Sequence, residues 1–256
     1  MDQGRSYAAA QGLALTEIMG PAAEALSRPN NTLAVCYLRA ILRLNSPLIP
    51  VPVLREGDYH SDQIAALSSA TAIRAALFSG RLSDARGAMP EAAFAVLRRE
   101  MDLGRLCREE AMDKPLLAAL MDLTPEQAAA APEISEGLEN RILANAMESV
   151  SRADLILRVK TRRYPYTRIS RALCHLATGT TRAMLPALPE YTRLLGFNAA
   201  YRPYFSRVHR DTLEVFSNPA DARSPSAALD LRADRLWSVL CGCPAALTCR
   251  AGCITL

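Results

Sequence analysis

Ser68-Ser69-Ala70-Thr71-Ala72-Ile73-Arg74 is the stretch on which the fold reading turns. Hydroxyl side chains precede an apolar, alanine-rich run that reaches Phe78 and stops at Ser79-Gly80, the pattern of a turn opening a helix. Free backbone N–H groups, hydroxyls and a guanidinium at a helix start converge on phosphate readily. The same residues also suit an ordinary capped helix with Arg74 facing solvent, so the stretch gains its weight from its surroundings.

About one βα unit upstream stands Pro29-Asn30-Asn31-Thr32-Leu33. From Thr32 to Leu44, the residues Leu33, Tyr37, Ile41 and Leu44 recur at helical spacing, and Ser6 to Met19 is an alanine-rich helical candidate. Leu48 to Leu54 is a short apolar run broken by Pro50 and Pro52, which suits an irregular or edge strand. This αβα order fits the last piece of a nucleotide-binding α/β domain, and a single strand cannot close a doubly wound sheet. Asn30 carries donor and acceptor edges for a base or ribose, and Arg55 a fixed fork for phosphate. Equally, Asn30 after a proline suits a turn or cap, and Arg55 a surface charge at a strand end.

Beyond Gly87-Ala88-Met89-Pro90 helical patterns follow one another: Pro90 to Leu103, Pro115 to Asp122, Pro125 to Ala130, Ser135 to Val150, Ala153 to Lys160 and Pro165 to Thr178. Thr124-Pro125 is a strong start, with Thr as cap and Pro at the first helical position. The expected organisation is therefore an α/β piece over residues 1–85, a mostly α-helical domain over 86–240, and a cysteine-rich tail over 241–256.

Half the residues are apolar and 22% are charged, a globular composition that excludes a disordered chain. No apolar run reaches the roughly 18 residues of a membrane span, and Met1-Asp2-Gln3-Gly4-Arg5 does not lead into a secretory apolar region; a cytoplasmic protein with no membrane partner is expected. Lys114 and Lys160 are the only lysines, so the positive charge is almost all arginine. Arg and Ala codons of a GC-rich gene account for the total but not for its clustering. Between Asp154 and Glu190 there is no acid, while Arg158, Lys160, Arg162, Arg163, Arg168, Arg171 and Arg182 fall there. On a helix from Pro165, Arg168, Arg171 and His175 share one face, and Ile169, Ala172, Leu173 and Leu176 another. One side packs and the other presents cations, with Tyr164 and Tyr166 interleaved as stacking candidates; a polyanion, tRNA foremost, is the expected partner.

Cys36, Cys107 and Cys174 sit singly in apolar patterns and are expected in the core. Cys241-x-Cys243-x5-Cys249-x3-Cys253 departs from paired zinc knuckles, and no metal site is assigned to it.

Taken in order, these segments resemble the bacterial tRNA(Met) cytidine acetate ligase family of the nucleotidyltransferase superfamily. The resemblance runs over residues 1 to about 240 and rests on Pro29-Asn30-Asn31, Ser69-Ala70-Thr71-x-Ile73-Arg74, Glu136-Gly137-Leu138-Glu139-Asn140-Arg141-Ile142 and Arg163-Tyr164-x-Tyr166-Thr167-Arg168. It implies a Rossmann-like α/β remnant followed by a helical tRNA-binding domain. It also implies ATP-dependent activation of acetate and transfer of the acetyl group to the wobble cytidine of elongator tRNA(Met), with Mg2+ accompanying ATP. By the same resemblance Asn30 and Arg55 match ATP contacts, Ser69, Thr71 and Arg74 the triphosphate motif, and Lys160, Arg162, Arg163, Arg168 and Arg171 the tRNA grip. The family's opening His-x-Gly-His turn has no counterpart here, which is the pattern of an N-terminally truncated chain. Two other classes fit the residues: a non-catalytic RNA-binding helical module, and an interaction domain docking through an apolar sheet edge.

Overall fold

Apolar spacing, caps and glycine stops set most of the helices. The computed structural model describes residues 7–26, 29–53, 68–201, 203, 213–246 and 254–255. By internal contacts the chain divides into Met1–Arg99 and Glu100–Leu256.

The first unit holds α1 (Tyr7–Met19), the short α2 (Ala23–Leu26), α3 (Pro29–Arg43) and α4 (Ala70–Phe78). A 3-10 run, Leu82–Ala88, packs on α4 around the buried Ala72, Ala76 and Ala85. Small side chains allow that close approach. Residues 46–53 have no regular secondary structure and make no strand pairing among the described residues, where an edge strand was expected. The reason is chemical: Pro50 and Pro52 offer no N–H to a ladder. Ile49, Val51 and Val53 are all more than three-quarters exposed, and with Tyr37, Leu38 and Ile41 of α3 and Leu44 just past it the segment forms an apolar cleft of about 580 Å³. An apolar run open on both faces has the composition of a parallel-sheet strand, but without a pairing partner among the described residues it is not the sheet edge expected above.

The division falls within α5 (Glu91–Asp102). The second unit continues with α6 (Asp113–Met121), α7 (Pro125–Ala129), α8 (Leu138–Ala146), α9 (Arg152–Val159), α10 (Tyr166–Thr178) and α11 (Pro225–Leu240). Leu116, Ile134, Leu138, Ile142, Leu155, Ile156, Ile169 and Leu173 are almost wholly buried at its centre. Burial of each such side chain contributes about 1.5–3 kcal/mol, so this cluster is the principal stabilising element. The apolar face of α10 is as spaced: Ile169, Ala172, Leu173 and Leu176 are all buried.

Thr124 opens α7 with a capping box, accepting from Gln127 N–H at 3.3 Å while its own N–H donates to Gln127 Oε1 at 2.8 Å. α8 starts three residues later than Ser135, because Glu136 and Gly137 take left-handed backbone angles (φ 63° and 86°). Two short parallel pairs, β1 (Tyr191–Arg193) with β3 (Glu214–Phe216) and β2 (Gly196–Phe197) with β4 (Ile254–Thr255), lie in this unit.

Of the cysteines expected in the core, Cys36 and Cys174 are exposed and Cys107 half-buried. Cys174 follows Leu173 on α10 and so falls off the buried stripe. Cys241 and Cys243 are buried instead, at the end of α11, and Cys249 and Cys253 lie outside the described residues. No helix among the described residues is long and apolar enough to cross a membrane.

Candidate nucleotide and nucleic-acid sites

Ser69 is extended (ψ 153°), buried, and accepts from Ala72 N–H at 3.1 Å, which caps α4. Its hydroxyl is thus directed at the helix. The first α-helical hydrogen bond runs from Ile73 N–H to Ser69 O at 3.1 Å, so the amides of Ala70 and Thr71 precede the helical ladder. Thr71 and Arg74 are exposed and adjacent, Arg74 Nη2 donating to Thr71 Oγ1 at 3.5 Å. The cluster at this helix start is therefore two leading amides, one hydroxyl and one guanidinium, with Ser69 fixing the backbone that carries them. Asn30 lies on the exposed first turn of α3, inside the helix and not ahead of it. Arg55 lies outside the described residues. Thr71 and Arg74 are thus brought together; Asn30 sits on a different helix.

In the second unit the cations sort by what the fold does with them. Arg168 turns inward: Nε donates to Glu133 O at 2.9 Å, Nη2 to Ser135 Oγ at 2.7 Å, and the guanidinium lies 5.4 Å from the Tyr164 ring centroid. Arg171 forks onto the Glu133 carboxylate at 3.1 and 3.2 Å, and Arg163 bonds Glu136 at 3.0 and 3.1 Å. Arg182 donates to the carbonyls of Ala131 and Ile134 at 2.7 and 2.9 Å and also to Ala129 O. Arg158 pairs with Asp154 and Glu148 at 2.9 and 3.3 Å. Lys160 and Arg162 are exposed.

Tyr164 is buried and its hydroxyl donates to Glu136 O at 2.6 Å, so its ring is not free to stack; Tyr166 is exposed. A ring needs an open face to receive a base, and the packed core supplies none at Tyr164.

Glu133 (φ 68°), Glu136 (φ 63°) and Gly137 (φ 86°) form a turn with three left-handed residues in five. Only glycine accepts that geometry cheaply, and the guanidiniums of Arg163, Arg168 and Arg171 hold the other two. Hydrogen bonds and charge from Arg163, then Arg168, keep the Glu136 carboxyl below its ordinary range. Burial lowers the pKa of His175, against the opposing pull of Glu133. Spacing did not single out Glu133, nor the carbonyl contacts of Arg141 and Arg182. The only available signal was Glu133 and Glu136, three apart, just before Gly137.

The model of the HIGH Nucleotidyl Transferase family matches residues 1–246. The chain belongs to that family. Among its relatives, tRNA(Met) cytidine acetate ligase of Halothermothrix orenii is 30% identical over 74% of this chain and 47% of its own length. The proteins of the same name from Syntrophomonas wolfei and Halalkalibacterium halodurans are 30% and 34% identical over 98% and 91% of this chain, covering 66% and 59% of their own lengths. The chain spans about half the length of the first curated relatives it matches. Crystal structures of Thermotoga maritima TmcAL share the fold. The apo form superposes with a TM-score of 0.85 at 23% identity, over 99% of this chain and 68% of that one. The form bound with alpha-thio ATP gives 0.82. The fold of the chain is therefore of the nucleotidyltransferase type, with a helical region beyond it.

Proposed function

We propose that the chain serves ATP-dependent acetylation of the wobble cytidine of elongator tRNA(Met). The observation that carries the reading is the α4 start, where Thr71 and Arg74 stand joined and exposed beside the leading amides of a capped helix. That group suits a polyphosphate, with Ser69 as the positioning residue and Asn30 and Arg55 as further nucleotide contacts. Acetate oxygen attacks the α-phosphorus, a P–O bond forms, and pyrophosphate leaves with the electrons of the broken bond. The cytidine amine then attacks the acetyl carbonyl, AMP departs, and the amine loses a proton. The role of Thr71, Arg74 and the α4 amides is to orient the leaving polyphosphate and spread its charge. Mg2+ would accompany ATP, held largely by the phosphate oxygens.

The tRNA contacts in this reading fall to Lys160, Arg162, Arg163 and Arg171, with Arg168 acting through the turn it braces. Phosphate contacts supply affinity more than choice of sequence.

The test is incorporation of labelled acetate into an unmodified tRNA(Met) transcript, alongside equilibrium binding of ATP and of tRNA. ATP-dependent label that falls at least tenfold in Arg74→Ala, with tRNA binding unchanged, supports the proposal. Salt-sensitive tRNA binding without ATP binding or label overturns it in favour of a non-catalytic RNA-binding module.

A further inference from the structure

Two helix ends meet in the second unit, and they bring distant cysteines together. Past α5, Gly104 (φ 68°) donates to Met101 O at 2.9 Å and Arg105 N–H to Glu100 O at 2.9 Å. α11 closes in the same manner: Gly242 (φ 71°) donates to Val239 O at 2.9 Å and Cys243 N–H to Ser238 O at 2.8 Å. Both are glycine C-caps, in which a left-handed residue turns the chain out of the helix. A Cβ on Gly242 would stand 4.0 Å from the Gly104 carbonyl oxygen, so the caps lie against each other. This contact sets Cys107, just past the first cap, beside Cys241 of the second, near enough for each thiol to bear on the other's titration, while Cys107 Sγ itself donates to Arg108 O at 3.4 Å. Cys243 is directed elsewhere, its thiol 3.7 Å from Cys241 O.

Access is asymmetric. Cys241 is buried, whereas Cys107 is half-exposed and lines a cleft of about 240 Å³ with Arg108, Glu109, Arg152 and Trp237. A small oxidant reaches Cys107 through that cleft, which Cys174 also lines and in which Arg152 is paired with Glu109 at 2.6 Å.

We propose that Cys107 and Cys241 form a reversible disulfide, with a peroxide as oxidant, that fastens the α11 cap to the loop after α5. The Cys107 thiolate attacks the peroxide: an S–O bond forms, the O–O bond breaks, and water leaves after protonation. Cys241 then attacks the sulfenic sulfur as its thiolate, the S–S bond forms, the S–O bond breaks, and a second water leaves. The sum is two thiols and one hydrogen peroxide giving one disulfide and two waters. A small-molecule thiol reverses it by exchange. Burial raises the Cys107 thiol, and burial with the neighbouring thiols of Cys107 and Cys243 holds Cys241 up to about 11, so both rest protonated and the bridge forms slowly, at a rate that rises with pH.

The bridge would close a loop of roughly 130 residues, which predicts a rise in Tm of about 10 °C for the oxidised second unit. The experiment treats the chain with hydrogen peroxide, blocks free thiols, and maps disulfide-linked peptides by mass spectrometry without reductant. The expected result is a Cys107–Cys241 linked peptide, a Tm rise reversed by dithiothreitol, and loss of both in Cys107→Ser but not in Cys243→Ser. A bridge between any other pair, sulfinic acid at Cys107 without a bridge, or no oxidation at all would overturn the proposal.

Discussion

Arg168→Ala should unfold the second unit early, and the size of the loss follows from what the guanidinium holds. Its Nε and Nη2 donate to Glu133 O and Ser135 Oγ at 2.9 and 2.7 Å, with one fifth of the side chain exposed. A hydrogen bond from a charged donor contributes about 1.5–3 kcal/mol, and partial exposure places these two at the low end, for about 3 kcal/mol together. The Tyr164 ring contact adds about 0.5–1 kcal/mol. The Glu136 contact at 3.8 Å is solvent-facing and is left out. Against this, the turn regains part of the roughly 1–3 kcal/mol that each left-handed glutamate costs once it is no longer braced. The net expectation is a loss of about 2–3 kcal/mol, or a fall in Tm of roughly 5–10 °C for a unit of this size. Calorimetry of the variant measures it directly. Arg168→Lys keeps the charge but not the fork, and should recover less than half of the loss. A loss under about 1 kcal/mol, or full rescue by lysine, would show that charge and not the two-pronged bond matters, and the reasoning would fail.

Other expectations are smaller and more local. Ser69→Ala removes the α4 cap and should cost about 1 kcal/mol in denaturant unfolding of the first unit, with Ser69→Asp recovering most of it. Lys160→Ala with Arg162→Ala should leave Tm unchanged while flattening the salt dependence of tRNA binding by about 1.4–1.8 in the log–log slope. His175 titrates below its ordinary value because burial disfavours the imidazolium, while Glu133 and Arg171 pull in opposite directions. Its unfolded form binds a proton first as pH falls. Stability is therefore complete above about pH 6.5 and declines as pH drops through the folded value; His175→Gln should flatten that stretch of the stability curve.

Local chemistry was legible in the sequence wherever one segment decided the outcome. The Thr124-Pro125 start, the Ser69 cap and the buried stripe of α10 all depend on residues within a turn or two of each other. What depended on distant segments was not legible. α11 begins where two glutamates from elsewhere receive it: Glu214 accepts from Arg223 and Ser224 N–H at 2.6 and 2.9 Å, and Glu190 from the Ser226 hydroxyl at 2.6 Å. Nothing near residue 225 announces those acceptors. The candidate nucleotide site divides the same way, since the Thr71–Arg74 pair is local and the place of Asn30 relative to it is a matter of tertiary structure. Tyr164 likewise looked like a stacking ring until the core claimed it.

The stretch without acids between Asp154 and Glu190 is basic along the chain but much less so in space. Glu133 and Glu136 arrive from before α8 to meet Arg163, Arg168 and Arg171, and Glu148 meets Arg158 from the loop ahead of α9. Arginine is the residue suited to this, because its planar fork can satisfy two acceptors at once, carbonyl oxygens included. Arg141 bonds the carbonyls of Val159 and Arg158 at 2.8 and 3.0 Å at the end of α9, and Arg182 does the same for the segment after α7. Both positions are helix C-termini, where orphaned carbonyls and the dipole favour a cation. Two arginines of this unit therefore close helices, and Arg158, Arg163, Arg168 and Arg171 are engaged with acids or turn carbonyls instead of waiting for a ligand. For a polyanion, the useful charge is what remains after that: Lys160 and Arg162, then the outer faces of Arg163 and Arg171, which stay more than half exposed while paired. An RNA phosphate reaching Arg171 must compete with Glu133, so Glu133→Gln should tighten RNA binding even as it weakens the turn. A charge-blind surface would predict the two effects to move together.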